Sequence, residues 1–362
     1  MSRPRPSPHR SPTPVNHSGF RSTSLLLLYL TLALFARSQS GDQRVTAMIR
    51  EGQSALDAGD FSRAVQEFEN ARQLAPENAE INRGLVLGYL QAGRLADAQK
   101  VAEFAVSRWP RDARLQHWLG LVYFKEGQHQ NALQALQRSE SLSPSSSDIH
   151  FDIALVYLSK NQYPSAADEL EKAIKRDPSS ALPHVLLGRA YQNTNRTVQA
   201  IEQFQAALRL DPNLPLGHYH LGFAFASLGR NQEAMAEYQK EVLRAPDNPS
   251  VLYQLGHCEL AAGEWKSAIT HLRSATQLDP KNADAQYDLG KALLLEGDAG
   301  AAVVALRQAA TLKPESPEPH YQLARALEKT GDKEQGRREL QIFAALKKAQ
   351  PATGGMATGP IQ

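Results

Sequence analysis

The chain has 362 residues, 40 Lys and Arg against 38 Asp and Glu, and a formal net charge of +2. Its one cysteine, Cys258, excludes an intrachain disulfide and leaves no cysteine cluster for zinc. Residues 1–23 are rich in Pro, Ser and Arg and hold no acid, a composition that does not support a packed core. Leu25 to Ala36 is an apolar run of 12 residues. As a helix it would reach only ~18 Å, short of the roughly 20 residues a bilayer core needs, so a spanning helix is not expected. The length suits the apolar region of a signal peptide, and Ala36-Arg37-Ser38 sets small residues where a signal peptidase reads. Cleavage is expected after Ser38, so that an exported chain begins at Gln39. Two other readings exist: a retained membrane anchor formed by residues 25–36, and a transit peptide, which the solid leucine run disfavours because such peptides are amphipathic. The leader, residues 1–40, carries five arginines and no acid, so the remainder carries about −3. A mature chain this close to neutral has no general electrostatic reason to bind nucleic acid.

From about residue 45 the chain repeats. Pro76, Pro110, Pro144, Pro178, Pro212, Pro246, Pro280 and Pro314 stand 34 residues apart without a slip. Twelve residues before each is an alanine: Ala64, Ala98, Ala132, Ala166, Ala200, Ala234, Ala268 and Ala302. Five before, alanine recurs except at Ser139 and Glu241. Ten after, the residue is small, as at Gly120, Gly188 and Gly290, with Val86 the larger exception. Nine after, Leu or Ile is the rule, and four further on stand Tyr89, Tyr123, Tyr157, Tyr191 and Phe225, with Glu259 breaking the series. A spacing of four is one helical face. Seventeen before each proline stands Gly or Asn, the residues that most readily take the left-handed conformation ending a helix. The proline closes the second helix, and the Asp or Asn beside it suits the next N-cap. Each unit is thus two amphipathic helices with a tight turn.

This 34-residue unit resembles the tetratricopeptide repeat, most clearly in HVLLGRAYQNTNRTVQAIEQFQAALRLDP and HYHLGFAFASLGRNQEAMAEYQKEVLRAP. The resemblance implies an all-α fold, a right-handed α-solenoid (superhelix) of about nine 34-residue helix–turn–helix repeats. The units would be 45–78, 79–112, 113–146, 147–180, 181–214, 215–248, 249–282, 283–316 and 317–350, with no boundary before residue 350. The first and last are expected to be irregular caps, since Glu51 replaces the usual Leu, and Gly336, Phe343 and Lys348 break the pattern at the other end. The tail, residues 351–362, is too rich in Gly and Pro to fold.

No phosphate loop, nucleophile elbow or metal-ligand spacing is found, so neither enzyme activity, nor a cofactor, nor a metal is expected. Cys258 sits at an apolar position and reads as a buried structural thiol; His218 and His220, two apart, point to different faces. The resemblance implies a non-enzymatic scaffold binding proteins or peptides along the first helices, which line the concave face in similar proteins. The alternative is a non-catalytic structural or regulatory subunit of an envelope or secretion enzyme complex. On that face the pairs Tyr253/His257, Tyr287/Lys291 and Tyr321/Arg325 recur at a spacing of four. An aromatic stripe beside a basic stripe suits an acidic protein or peptide. Earlier units carry Arg83, Leu87, His117, Leu121, Phe151 and Leu155 there, a more apolar set, and the absence of asparagine in the series argues against a chaperone-tail carboxylate clamp. His257 is expected to add charge only near or below ~6.5.

Overall fold

The computed structural model describes residues 42–144 and 146–349, and the leader and the tail lie outside them. Among the described residues there are eighteen helices and no strand. The chain divides between Pro144 and Ser145 into two compact units. An unbroken register gave no hint of this boundary. Ser146, just past it, makes no side-chain cap bond to the helix that follows.

The first unit holds three hairpins. They are α1 (42–57) with α2 (Phe61–Leu74), α3 (Ala79–Gln91) with α4 (Leu95–Arg108), and α5 (Ala113–Lys125) with α6 (His129–Leu142). The second unit holds six: α7 (Ser147–Ser159) with α8 (Tyr163–Arg176), α9 (Ala181–Asn193) with α10 (Thr197–Leu210), and α11 (Gly217–Ser227) with α12 (Asn231–Arg244). Then come α13 (Pro249–Ala262) with α14 (Trp265–Leu278), α15 (Ala283–Glu296) with α16 (Ala299–Leu312), and α17 (Pro317–Lys329) with α18 (Lys333–Ala349). Within each unit the second helix of a hairpin packs on the first helix of the next, as α4 does on α5 and α14 on α15. This is an α-solenoid of helical hairpins.

The local chemistry explains the elements. At the hairpin turns Gly93 takes φ +72° and Asn161 φ +56°. At the first of these, the Arg94 N–H donates to the Tyr89 carbonyl at 2.9 Å, the closing bond of a left-handed helix end. Between hairpins, Asn78 Oδ1 accepts from the N–H groups of Glu80 and Ile81, and Asp112 and Asn248 cap α5 and α13 the same way.

Packing inside a hairpin is a knob in a hole. A Cβ placed on Gly188 would lie 2.5 Å from Phe204, and one on Gly290 would lie 2.4 Å from Leu306. The small residue on the first helix therefore receives the large one on the second. In α3–α4 the two register positions hold Val86 and Ala102, both fully buried. Large and small have exchanged places, which keeps the volume of the layer.

The exceptions to the recurring alanine are also built in. Ser139 Oγ donates to the Ala113 carbonyl at 2.7 Å. Glu241 is buried, and its carboxylate accepts the Leu216 and Tyr219 N–H groups at 3.1 and 3.3 Å. Leu216, in the left-handed region at φ +59°, starts α11 late, and Glu241 satisfies the amides of that displaced helix start. Where Tyr gives way to Glu259, the buried carboxylate takes His271 Nδ1 at 2.8 Å from the other helix of the same hairpin.

Tyrosines of the recurring series tie one hairpin to the next. Tyr123 and Tyr191 donate to Glu103 and Glu171 at 2.9 and 2.5 Å, and Tyr89 to Glu69. Burial first, and the neighbouring carboxylate second, push all three phenols up to about 12. Arg94 and Arg196 lie over the Tyr89 and Tyr191 rings at 4.6 and 4.1 Å.

Candidate functional site

The first helices of successive hairpins touch one another: α13 contacts α15, and α15 contacts α17. They form one continuous layer, and the structure brings the three sequence-picked pairs onto it. Tyr253 and His257 lie on α13 with ring centroids 5.9 Å apart. Tyr287 and Lys291 lie on α15, and Tyr321 and Arg325 on α17.

The aromatics are anchored rather than loose. Tyr253 and Tyr287 are half-buried against the apolar core of the last hairpins, and burial raises both phenols, so they remain protonated donors. Tyr321 is 41% exposed and leans on Phe343 of α18, ring centroids 5.2 Å apart. Phe343, an irregularity in the repeat, is thus a prop for the last tyrosine of the stripe.

The charges are less uniform than their spacing suggests. His257 Nδ1 donates to Asp288 Oδ2 at 2.7 Å; the His side chain is 52% exposed and the Asp side chain 8%. That hydrogen bond, aided by the negative charge of Asp288, raises the His257 pKa above its ordinary value. His257 therefore charges more readily than an isolated imidazole, but its charge is cancelled by Asp288. Two further acids beside these pairs are committed as well: Asp284 takes Lys313 Nζ at 2.8 Å on both oxygens, and Glu318 takes Lys347 Nζ at 3.0 Å. Among the described residues Lys291 and Arg325 have no acidic partner; the Arg325 guanidinium donates to the neutral Gln322 side chain, at 3.1 Å. The three pairs thus present three aromatic rings and two uncommitted cations, with Asp284, Asp288 and Glu318 turned to internal partners.

Asp288, Lys313, Lys347 and Phe343 were not singled out by spacing along one helix. Their partners lie 22–31 residues away, on neighbouring helices. Elsewhere, Cys258 is buried, and burial pushes its thiol up to about 11. Such a thiol is a poor nucleophile. His218 Nδ1 lies 2.6 Å from Glu237, and His220 stacks on Phe204, so the two do face different surroundings.

The tetratricopeptide repeat profile matches residues 49–98, 84–147, 151–215 and 185–249, and further repeat profiles of the same kind match 259–297 and 293–351. The chain belongs to the tetratricopeptide repeat proteins. Repeat arrays of this family are protein-interaction scaffolds and are generally non-catalytic. No curated protein matches the sequence. Among solved structures, MamA from Desulfovibrio magneticus RS-1 is similar at 22% identity, over 48% of this chain and 97% of that one, with a TM-score of 0.45. YrrB, described as a tetratricopeptide protein with an unusual peptide-binding site, is similar at 22% identity over 52% and 97%, with a TM-score of 0.47. The Cut9–Hcn1 tetramer of the APC/C is similar at 18% over 74% and 52%, with a TM-score of 0.49. No helix among the described residues is long and apolar enough to cross a membrane.

Proposed function

We propose that this protein is an exported, non-enzymatic scaffold that holds an acidic segment of another protein across α13, α15 and α17. The observation that carries this reading is the mismatch of charge on that layer. Asp284, Asp288 and Glu318 are each satisfied within the molecule, while Lys291 and Arg325 are not. Tyr253, Tyr287 and Tyr321 beside them offer rigid contact area of the sort that dominates interfaces. Export rests on the leader alone: a Leu-rich run of 12 residues followed by Ala36-Arg37-Ser38.

The test of the partner is co-purification with the parent chain and with a Lys291→Glu/Arg325→Glu variant. Both positions lie outside the core, so helicity is retained while an acidic partner is lost. Equal recovery of the same partner by both chains overturns the reading. Export is tested by N-terminal sequencing of the protein from its host, which should begin near Gln39; the intact chain in the soluble cytosol contradicts it.

A further inference from the structure

The same first-helix layer continues upstream through α11 to α9, with α9 touching α11 and α11 touching α13. On α9, Arg189 occupies the register position of His257, Lys291 and Arg325, 34 residues apart from unit to unit apart from Phe223 between. It is exposed, and among the described residues no acid forms an ion pair with it. One turn along the same face of α9, the Gln192 amide nitrogen is buried and has no acceptor among the described residues. Across from Arg189, the His220 ring of α11 is stacked on Phe204 with centroids 5.5 Å apart and meets Tyr219 edge-on at 5.6 Å. Burial, and then the Arg189 charge, push His220 down to about 4, so its ring is a neutral hydrogen-bond donor at pH 7. Three acids of the flanking elements are engaged elsewhere. Glu241 holds the Leu216 and Tyr219 amides, Glu237 holds His218 and Lys240, and Asp211 holds the Asn213 amide. The result is a cluster that offers donors from Arg189, Gln192 and His220 and holds no carboxylate of its own.

We infer that Arg189, with Gln192 and His220 beside it, is a second carboxylate-binding subsite. It takes an acidic side chain of the same peptide that lies on Lys291 and Arg325, and so rests on the function proposed above. Between the two subsites the layer is aromatic, with Tyr219, Phe223 and Tyr253, so the peptide is acidic, then apolar, then acidic again. A lone carboxylate on an exposed arginine is weakly held, whereas one tethered to a bound segment returns at a high effective concentration. A peptide is therefore favoured over a free anion. The spacing can be worked out. From α9 to α15 there are three steps between neighbouring first helices, each ~8–10 Å, or roughly 24–30 Å. An extended chain covers this in about 7–9 residues.

The experiment is fluorescence anisotropy on the full chain with synthetic peptides. The lead probe carries two Glu clusters separated by an apolar spacer of about eight residues; controls have either cluster, or both, changed to Gln, or a spacer half as long. The parent should bind the doubly acidic probe about tenfold more tightly than either singly acidic one. Arg189→Gln should erase that gain while leaving the Lys291/Arg325 end intact, and on binding the His220 imidazole resonances should shift in the parent. If Arg189→Gln binds the doubly acidic probe as tightly as the parent, the subsite is refuted while the proposed function survives. If Lys291→Glu/Arg325→Glu changes nothing and Arg189→Gln alone weakens the probe, the function as placed on α15 and α17 falls and the second subsite with it. If the parent prefers no acidic probe over the all-Gln peptide, both readings are overturned. Complete loss of the gain in millimolar inorganic phosphate, at constant ionic strength, would assign the cluster to a free anion and also refute the peptide subsite.

Discussion

Exchanging the knob and the hole in one hairpin should cost less than the sum of the two single changes. In α9–α10 a Cβ on Gly188 would sit 2.5 Å from Phe204 Cε1, about 1 Å inside ordinary contact. Ala200, four residues before Phe204, is fully buried, and Phe204 itself is 1% exposed, so the ring has nowhere to retreat. Gly188→Val should therefore destabilise by roughly 1–3 kcal/mol through overpacking, offset by a few tenths from better helix propensity. Phe204→Ala should cost about 3–5 kcal/mol, the usual range for emptying a buried aromatic site. Together they recreate the Val86 and Ala102 arrangement of α3–α4. The valine then fills part of the space the phenyl ring leaves, and the double variant should be more stable than Phe204→Ala by about 1 kcal/mol or more. Urea unfolding followed by far-UV circular dichroism gives the four midpoints of the cycle. If the two costs simply add, the positions do not share one volume and the knob-in-hole account of the hairpin is refuted.

Further outcomes follow from individual residues. Glu241→Ala restores the residue most repeats carry, yet it should destabilise by about 1–3 kcal/mol, because the Leu216 and Tyr219 amides lose their acceptor; a stabilised variant in urea unfolding contradicts this. His271→Ala leaves the Glu259 carboxylate, 2% exposed, without its partner, and should cost roughly 2–3 kcal/mol, less than a fully enclosed pair because His271 is partly open to water. In the parent the Glu259 hydrogen bond raises the His271 pKa. Its contribution is thus fully present below the unfolded value of ~6.5 and is lost as pH rises through the higher folded value; His271→Gln should flatten that part of a stability–pH curve, and an unchanged curve sinks the assignment. Cys258, with its thiol pushed up to about 11, should resist iodoacetamide at pH 8 in the native chain and react fast in urea; rapid native labelling would show an open site.

The helices, their turns and the repeat unit were legible because each depends on residues close in sequence: Gly93 and Asn161 at the left-handed positions, Asn78 and Asp112 at the caps, and alanines such as Ala200 where helices meet. What was not legible depends on pairs across helices. His257 reads as a lone base in its own helix, and only the next hairpin supplies Asp288, 31 residues on. Val86 and Glu241 look like lapses in the pattern until Ala102 and the late start of α11 give them reasons. The boundary after Pro144 leaves the proline spacing untouched, so periodicity carries no trace of it. Of the candidate site, the six residues and their common layer were readable; which charges remain uncommitted was not.

The central claim, that partners lie on the first-helix layer of the last hairpins, is tested most directly by site-specific photo-crosslinking. A benzophenone side chain replaces Tyr287 in one chain and Val304 in another, the latter 70% exposed on the second helix α16. The account predicts crosslinks from position 287 to an acidic segment of the partner and none from position 304. Crosslinks from 304 with none from 287 would contradict it.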